Sequence, residues 1–302
     1  MVRFLLLSAA TFVAGCIKPL PDHPALAKVD GQPLIIAHNG GDGLRPANTM
    51  EAFRAALNAG ANVLEFDVHA SRDGVLVAIH DETLDRTTEA SDLVKDRTFE
   101  ELETLDAGYN WPTLREPHHP IGHPWRDQGL KIPAVDEVLR TFLDARFAIE
   151  IKQTDPQVTA QLCELLRKNN AELRSIISAF DLITLDDFRS RCPEVATSTS
   201  RSEDTRTFGL NLNELAGVTA FPYHAVKVPE QAQGLPIVMP SLLASARARN
   251  IDVHVGPVNE PDDMRRLIDL GVDGIITDYP DRMAKILTTE PEVSSLSAPR
   301  TE

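Results

Sequence analysis

The alternation of short apolar runs with helix-like segments from Leu34 onward constrains the fold of this chain more than any other feature. Nine runs have the length and composition of strands: 34–38, 63–68, 75–80, 146–151, 175–180, 195–200, 225–229, 252–258 and 274–278. Strands separated by helices predict a parallel sheet made of βαβ units. The chain has 302 residues, 42% of them hydrophobic, which suits one large domain of this kind.

The run at 75–80 is the exception to this alternation. Only residues 69–74, which end in Asp73-Gly74, separate it from the run at 63–68. A parallel crossover needs about a dozen residues, and Asp-Gly is a hairpin turn signal. We therefore predict that 75–80 folds back as an antiparallel β-hairpin excursion above the barrel mouth. The remaining eight runs then close an α/β fold, a (β/α)8 TIM barrel.

The sequence around the first helix contains recognisable start and stop signals. Asn48 is predicted as its N-cap, with Glu51 three positions later, and Gly60 is predicted as its stop.

Residues 82–131 form a segment too long for an ordinary βα loop. We predict a lid-like insertion over the barrel mouth, with a helix at 98–106. It contains His118, His119 and His123. We interpret these as exposed residues of the insertion, and a second metal site is the alternative.

Ionisable residues gather at the ends of the first strand-like runs. His38 ends the first run, Glu65 and Asp67 lie two positions apart in the second, and His80 ends the hairpin run. Side chains two apart in a strand share a face, so the two acids form a carboxylate pair. Parallel barrels place their active sites at the C-terminal ends of strands. Carboxylates flanked by imidazoles indicate metal-assisted acid/base chemistry.

Five longer motifs resemble the sequence blocks of the glycerophosphodiester phosphodiesterase family, between about Leu34 and Leu287. They are AHNGG, NTMEAF, GANVLEFDVHASRDGVLVAIHDETLDRTT, FAIEIK and GVDGIITDYPD. The resemblance implies a metal-dependent barrel enzyme that hydrolyses glycerophosphodiesters to glycerol 3-phosphate and an alcohol.

The resemblance also implies roles for individual residues. Glu65, Asp67 and Glu150 would hold one divalent cation, and oxygen ligands favour Ca²⁺ or Mg²⁺ over Zn²⁺. His38 and His80 would exchange the protons needed for in-line displacement, and which of them is the acid stays open.

Phosphate binding is assigned to Lys152, which shares a strand face with Glu150; the alternative is that the two only pair with each other. The family's usual arginine after the first histidine is replaced by Asn39, its usual acid by Ala47, and the aromatic residue of its seventh strand is missing. We expect Asn39 and Arg45 to lie at the phosphate, with Arg45 in the lost arginine's role. The alternative is that Arg45 is a solvated loop residue.

The N-terminus has the pattern of an export signal. Residues 1–15 combine one positive residue, a short apolar stretch and small residues before Cys16. Val13-Ala14-Gly15-Cys16 resembles a bacterial lipobox, which predicts a lipid anchor on Cys16 in the bacterial cell envelope, on the periplasmic or surface side. An ordinary signal peptide, or an apolar helix of a cytosolic protein, is the alternative. We expect 16–31 to be a tether, 32–290 the barrel domain and 291–302 a disordered tail.

The net charge bears on the binding partners, and the cysteine content bears on disulfide bonding. A net charge of −15 argues against nucleic acid as a partner. Cys163 and Cys192 are interpreted as structural, and a bridge would need their Cα atoms within about 7 Å.

Besides a small-molecule phosphodiester, the substrate could be a lysophospholipid cleaved by a lysophospholipase D-like reaction. A catalytically weak surface lipoprotein that binds phosphodiesters is the alternative from another class.

Overall fold

Eight parallel strands form a nearly closed barrel in the computed structural model, which describes residues 19–111, 122–204, 221–232 and 234–289. All strands of the described ranges, numbered in chain order, are β1 (Leu34–Ala37), β2 (Val63–Ala70), β3 (Leu76–Ala78), β4 (Arg146–Ile151), β5 (Ser175–Ala179), β6 (Ala196–Thr197), β7 (Ala225–Val228), β8 (Gln231–Ala232), β9 (Leu235–Pro236), β10 (Asp252–Val255) and β11 (Gly274–Thr277). Strands β3, β8 and β9 are not among the eight of the barrel. The short β8–β9 hairpin was not predicted from the sequence.

The spatial order of the barrel strands is β6-β5-β4-β2-β1-β11-β10-β7. Between the two ends of this order, the backbone N–H of His224 donates to the carbonyl of Thr197 at 2.8 Å. The backbone N–H of Lys227 donates to Oγ1 of Thr199 at 3.2 Å. These bonds join β7 to the end of β6, so the predicted (β/α)8 TIM barrel is confirmed.

The hairpin prediction for 75–80 is also confirmed. Strand β3 pairs antiparallel with β2, with Val68 opposite Ala78. Gly74 adopts a positive φ of 83° in the connecting turn, a conformation that glycine reaches without steric cost. The N–H of Ile79 donates to the carbonyl of Asp67 at 3.0 Å, which holds the end of the hairpin beside the second strand.

Helices cover the outside of the barrel. The α-helices whose bounds both lie within the described ranges are α1 (Met50–Asn58), α2 (Phe99–Leu102), α3 (Val135–Thr141), α4 (Pro156–Lys168), α5 (Leu182–Arg191), α6 (Pro240–Arg247), α7 (Pro261–Leu270) and α8 (Pro280–Thr288). Residues 201–204 are helical as well. In the described part of the chain, none of the helices combines the length and the apolar character needed to cross a bilayer.

The N-cap of α1 is Thr49, so the prediction of Asn48 is wrong. Oγ1 of Thr49 accepts from the N–H of Ala52 at 3.1 Å. Asn48 has a positive φ of 57°, whereas an N-cap residue needs extended dihedrals. The helix ends at Asn58, and Gly60 follows with a φ of 96°, as its predicted role as a stop requires.

The strands bury residues on both faces. Leu34 and Ile36 of β1 pack inside the barrel, where they meet Val63 and Ile276. Ile35 belongs to the larger core between the barrel and the helices. This alternation is the period-2 pattern of a strand that is covered on both sides. It fills the lower barrel with apolar side chains and leaves the C-terminal end for polar ones.

The insertion after the hairpin has a small core of its own. Val77 and Ile79 from the hairpin region pack against Leu84, Leu102 and other apolar residues of the insertion. The helix predicted at 98–106 is shorter, because the chain turns after Leu102 and thereby buries Leu105 in the same core. His123 is exposed, while His118 and His119 lie outside the described residues.

The segment before β1 lies against the N-terminal ends of the strands. The N–H of Leu20 donates to the carbonyl of Arg249 at 3.0 Å, and Nζ of Lys28 lies 2.8 Å from Oδ1 of Asp273. Over residues 19–31 the chain is therefore packed on the barrel and is not a free tether. The predicted signal peptide, Cys16 and the tail at 291–302 lie outside the described residues.

A disulfide joins Cys163 of α4 to Cys192, which follows α5. Their Cα atoms are 5.9 Å apart, within the range that a bridge requires. The two cysteines are therefore structural, and the open question of their pairing is answered.

Candidate active site

Three carboxylates meet at the C-terminal end of the barrel. Asp67 on β2 stands directly opposite Glu150 on β4 in the parallel ladder, and Glu65 precedes Asp67 by two positions on the same face. Oxygen atoms of all three lie within 4.8 Å of one another. The structure therefore brings together the three predicted metal ligands.

Two lysines bind this carboxylate cluster. Nζ of Lys152 lies 3.0 Å from Oδ1 of Asp67 and 2.8 Å from Oε1 of Glu150. Nζ of Lys227, on β7, lies 2.9 Å from Oε1 of Glu65 and 3.1 Å from Oε2 of Glu150. Lys227 was not predicted as a site residue. The available signal was a single cation within the otherwise apolar strand Ala225–Val228.

The charges of this cluster shift its pKa values in opposite directions. Burial would raise the pKa of Glu65, but Lys227, His38 and the backbone N–H of Asn39 outweigh it and lower the pKa to about 2. Burial and the charge of Glu65 raise the pKa of Asp67 to about 6, despite the nearby Lys152. Oδ2 of Asp67 is buried and has no hydrogen-bond partner within the described ranges. Asp67 is thus the carboxylate that most lacks a compensating cation.

His38 is oriented by a carboxylate that directly follows the last barrel strand. Its Nδ1 lies 2.8 Å from Oδ1 of Asp278. A carboxylate only accepts, so Nδ1 carries the hydrogen and Nε2 is left for other chemistry. Oδ2 of Asp278 accepts from Nδ2 of Asn259 at 2.7 Å, which fixes the acid in turn. Burial would lower the pKa of His38, but Glu65 and Asp278 raise it above its usual value.

His80 has a similar partner. Its Nδ1 lies 2.6 Å from Oδ1 of Asp81, and Arg86 binds the other oxygen of Asp81. The hydrogen bond from His80, together with Arg86, lowers the pKa of Asp81 well below its usual range. His80 contributes to the electrostatics of Asp67, as His38 does for Glu65. Each predicted catalytic histidine therefore lies close enough to influence the charge of one cluster carboxylate, and each is held by an aspartate that was not predicted.

The predicted phosphate-binding loop lies next to His38. The N–H of Asn39 donates to Oε2 of Glu65 at 2.8 Å, while its side-chain Oδ1 accepts from Asn48. The guanidinium of Arg45 lies over the ring of Trp125 at 5.1 Å, and its Nη1 donates to the carbonyl of Leu44. Asn39 therefore touches the carboxylate cluster through its backbone. The described contacts of Arg45 are with the insertion, with its own loop and with Glu51 of α1, whose Oε1 lies 3.8 Å from Nε of Arg45.

A cavity of about 220 Å³ opens beside the carboxylate cluster. Its lining includes Glu150, Lys227, Phe180, Arg201 and Asp204. Burial raises the pKa of Asp204 to about 7. The cavity offers space for a small polar molecule in contact with the lysine and one of the acids.

The sequence of this chain is similar to those of known proteins. The sequence model of the Glycerophosphoryl diester phosphodiesterase family matches residues 38–282. A glycerophosphodiester phosphodiesterase of Caldanaerobacter subterraneus is 31% identical over 262 residues, which cover 84% of this chain and 97% of the relative.

Solved structures extend the comparison to the fold. The crystal structure of a glycerophosphodiester phosphodiesterase from Agrobacterium tumefaciens has a TM-score of 0.68 and 25% identity, and the match covers 84% of this chain and all of that one. A phosphodiesterase from Oleispira antarctica, solved in complex with the product sn-glycerol-3-phosphate, has a TM-score of 0.67 and 22% identity. That match covers 86% of this chain and 98% of the other.

Proposed function

Because the chain belongs to the Glycerophosphoryl diester phosphodiesterase family, we propose that it hydrolyses glycerophosphodiesters to sn-glycerol 3-phosphate and an alcohol with one divalent cation and two histidines. The observation that carries the proposal is the cluster of Glu65, Asp67 and Glu150 with a histidine on each of two flanking segments. The chain is a phosphodiesterase of this family, and the proposal concerns its metal and its proton-transfer groups.

The residues at the site fit a hard divalent cation. Three carboxylates within 4.8 Å of one another supply oxygen ligands, which Ca²⁺ and Mg²⁺ prefer. The unsatisfied Oδ2 of Asp67 supports this assignment, since a buried carboxylate oxygen without a partner is costly. Glu65, Asp67 and Glu150 would hold the cation, which when bound withdraws charge from the phosphoryl oxygens.

Proton transfer is assigned to His38 and His80. The bonds from Nδ1 to Asp278 and to Asp81 leave Nε2 of each imidazole as the exchanging atom. One imidazole would accept the proton of the neighbouring glycerol hydroxyl as it attacks the phosphorus, and the other would donate a proton to the departing alkoxide. Water would then open the resulting cyclic phosphate to give glycerol 3-phosphate. The aspartates orient the rings and stabilise the imidazolium when it forms.

Phosphate binding is assigned to Lys152 and to the loop that holds Asn39 and Arg45. Nζ of Lys152 already stands at the carboxylate cluster. Arg45 is assigned to the phosphate because it lies in the same loop as Asn39; its guanidinium lies over the ring of Trp125 and 3.8 Å from Glu51.

The test is release of glycerol 3-phosphate from glycerophosphocholine by the purified protein. Chelation should abolish the release, and Ca²⁺ or Mg²⁺ should restore it. His38→Ala and His80→Ala should each lower kcat by at least about 100-fold, the lower range for a general acid or base. His123→Ala, an exposed histidine of the insertion, is the matched control and should retain activity. Full activity after exhaustive chelation would contradict the metal assignment.

A lysophospholipase D-like activity is the second candidate. Phe180 lines the cavity with 56% of its surface exposed, and Ile183 nearby on α5 is 80% exposed. Apolar surface at the mouth would suit an acyl chain. Comparing turnover of lysophosphatidylcholine with that of glycerophosphocholine decides between the two. Turnover of neither, with retained binding, would favour the catalytically weak binding protein.

We also propose that the protein is exported and anchored in the bacterial cell envelope by a lipid on Cys16. The lipobox-like sequence supports this, and so does the disulfide between Cys163 and Cys192, since stable disulfides form in oxidising compartments. Cys16→Ser should release the protein from the membrane fraction and leave catalysis intact. A wild-type protein that is soluble and retains residues before Cys16 would contradict the anchor.

A further inference from the structure

Lys227 reaches the carboxylate cluster from across the barrel. In the strand order, β10, β11 and β1 lie between β7 and β2, so Lys227 meets Glu65 through the barrel interior and not along a neighbouring strand. It also bonds Glu150 on β4. This position is specified by the closure of the barrel, and it places a second ammonium group at the point where the three acids converge.

The ammonium of Lys227 is not enclosed on all sides. Two of its three hydrogens are directed at Glu65 and Glu150. The side chain is 30% exposed, against 18% for Lys152. Its open side belongs to the cavity that Glu150 also lines. A small anion entering that cavity would therefore meet Lys227 directly.

The net charge of the site explains why a contact between Lys227 and an anion would matter. Three carboxylates and two lysines leave one net negative charge. A divalent cation on the acids would change this to one net positive charge, equal and opposite to the single charge of a phosphodiester. Without Lys227 the cation-loaded cluster would be neutral and would attract the anionic diester less.

We propose that Lys227 is a phosphate ligand that also competes with the divalent cation for Glu65 and Glu150. This inference rests on the proposed function, because it assumes that the acids hold a cation and that the substrate is a phosphodiester. When the cation binds the acids, the ammonium gives up its two carboxylate bonds and donates instead to a phosphoryl oxygen. Lys227 therefore weakens cation binding and strengthens binding of the phosphate.

The two effects have opposite signs, which separates this role from a structural one. In Lys227→Met, the dissociation constant for Ca²⁺ or Mg²⁺ measured by calorimetry should fall at least tenfold. The dissociation constant for glycerol 3-phosphate, measured at saturating cation, should rise at least tenfold. Lys227→Arg keeps the charge and should restore most of the glycerol 3-phosphate affinity.

Lys168→Met is the matched control, because Lys168 is an exposed lysine that pairs with Asp136 at 3.0 Å. It removes the same charge from the protein surface and should change neither constant. If Lys227→Met binds glycerol 3-phosphate as tightly as the wild type, or binds the cation more weakly, the proposed role is wrong. If the wild type itself binds no cation and cleaves no diester, the proposed function fails instead.

A measurement on the wild-type protein covers the case in which Lys227→Met does not fold. Amine acylation followed by peptide mass spectrometry reports the accessibility of each lysine. Addition of Ca²⁺ should increase labelling of Lys227 severalfold, and glycerol 3-phosphate added on top should protect it again. Labelling of Lys227 that glycerol 3-phosphate does not reduce in the cation-loaded protein would overturn the proposal.

Discussion

Asp278→Asn is expected to slow the enzyme while preserving its fold. The substitution keeps the size of the side chain, and its oxygen can still accept from Asn259. It removes the negative charge 2.8 Å from Nδ1 of His38. The lost interaction is a charge-assisted hydrogen bond, which contributes about 1.5–3 kcal/mol.

That energy sets the magnitude of the expected effect. Since about 1.4 kcal/mol corresponds to a factor of ten, kcat/KM should fall about 10- to 150-fold. Asp278 is also one of the groups that raise the pKa of His38. Without the carboxylate the imidazolium loses its proton more readily, so the limb of the pH–rate profile that reports His38 should move to lower pH.

The assay is release of glycerol 3-phosphate from glycerophosphocholine across a pH series, with thermal unfolding measured in parallel. Asp273→Asn is the matched control, because Asp273 lies just before the same strand, at the opposite end of the barrel, where it pairs with Lys28. It should leave kcat/KM within about twofold. A full rate and an unchanged pH profile for Asp278→Asn would refute the orienting role of this carboxylate.

Three further outcomes are expected. Because burial and Glu65 raise the pKa of Asp67 to about 6, a cation that binds below that pH must displace a proton from Asp67. The cation affinity, measured by calorimetry between pH 7.5 and 5, should therefore fall up to about tenfold per pH unit below about pH 6. A pH-independent affinity would exclude Asp67 as a ligand. The double variant Cys163→Ser/Cys192→Ser opens a loop with a sequence separation of 29. The free energy of unfolding, measured with denaturant, should fall by about 3–4 kcal/mol because the unfolded chain gains the entropy of the opened loop. An unchanged free energy of unfolding would show that the bridge does not form. Arg45→Ala should lower kcat/KM more than tenfold, with partial recovery on adding Asn39→Arg; a silent Arg45→Ala would leave the phosphate to the lysines.

The parts of the fold that local patterns determine were predictable. Strand period and the Asp73-Gly74 turn specified both the barrel and the antiparallel direction of β3. Glu65 and Asp67 could be placed on one face because a strand has a period of two. Asn48 and Thr49 are both good capping residues. The φ of 57° at Asn48 excludes it as the cap, and this conformation depends on the loop in which the N–H of Asn48 donates to the carbonyl of Asn39.

The missed parts depend on closure of the whole barrel. Lys227 is 162 positions from Glu65 and 77 from Glu150, and the contact depends on the relative shift of strands around the barrel. Asp278 bonds His38 across 240 positions, although an acid directly after a buried strand was a signal that could have been used. The packing of 19–31 had no such signal, because its irregular, proline-rich sequence also fits a free linker.

The packed N-terminal segment limits how an anchored molecule could sit at a membrane. Pro19 is only three residues after Cys16, so the Cα atom of an anchored Cys16 could lie no further than about 10 Å from that of Pro19. Leu20 is bonded to Arg249, on the face of the barrel where the strands begin. The bilayer would then meet this face, and the carboxylates would open toward the aqueous side. An anchored enzyme in this orientation would collect diesters that diffuse through water, and a lysophospholipid in the same leaflet would have to leave its bilayer to be cleaved.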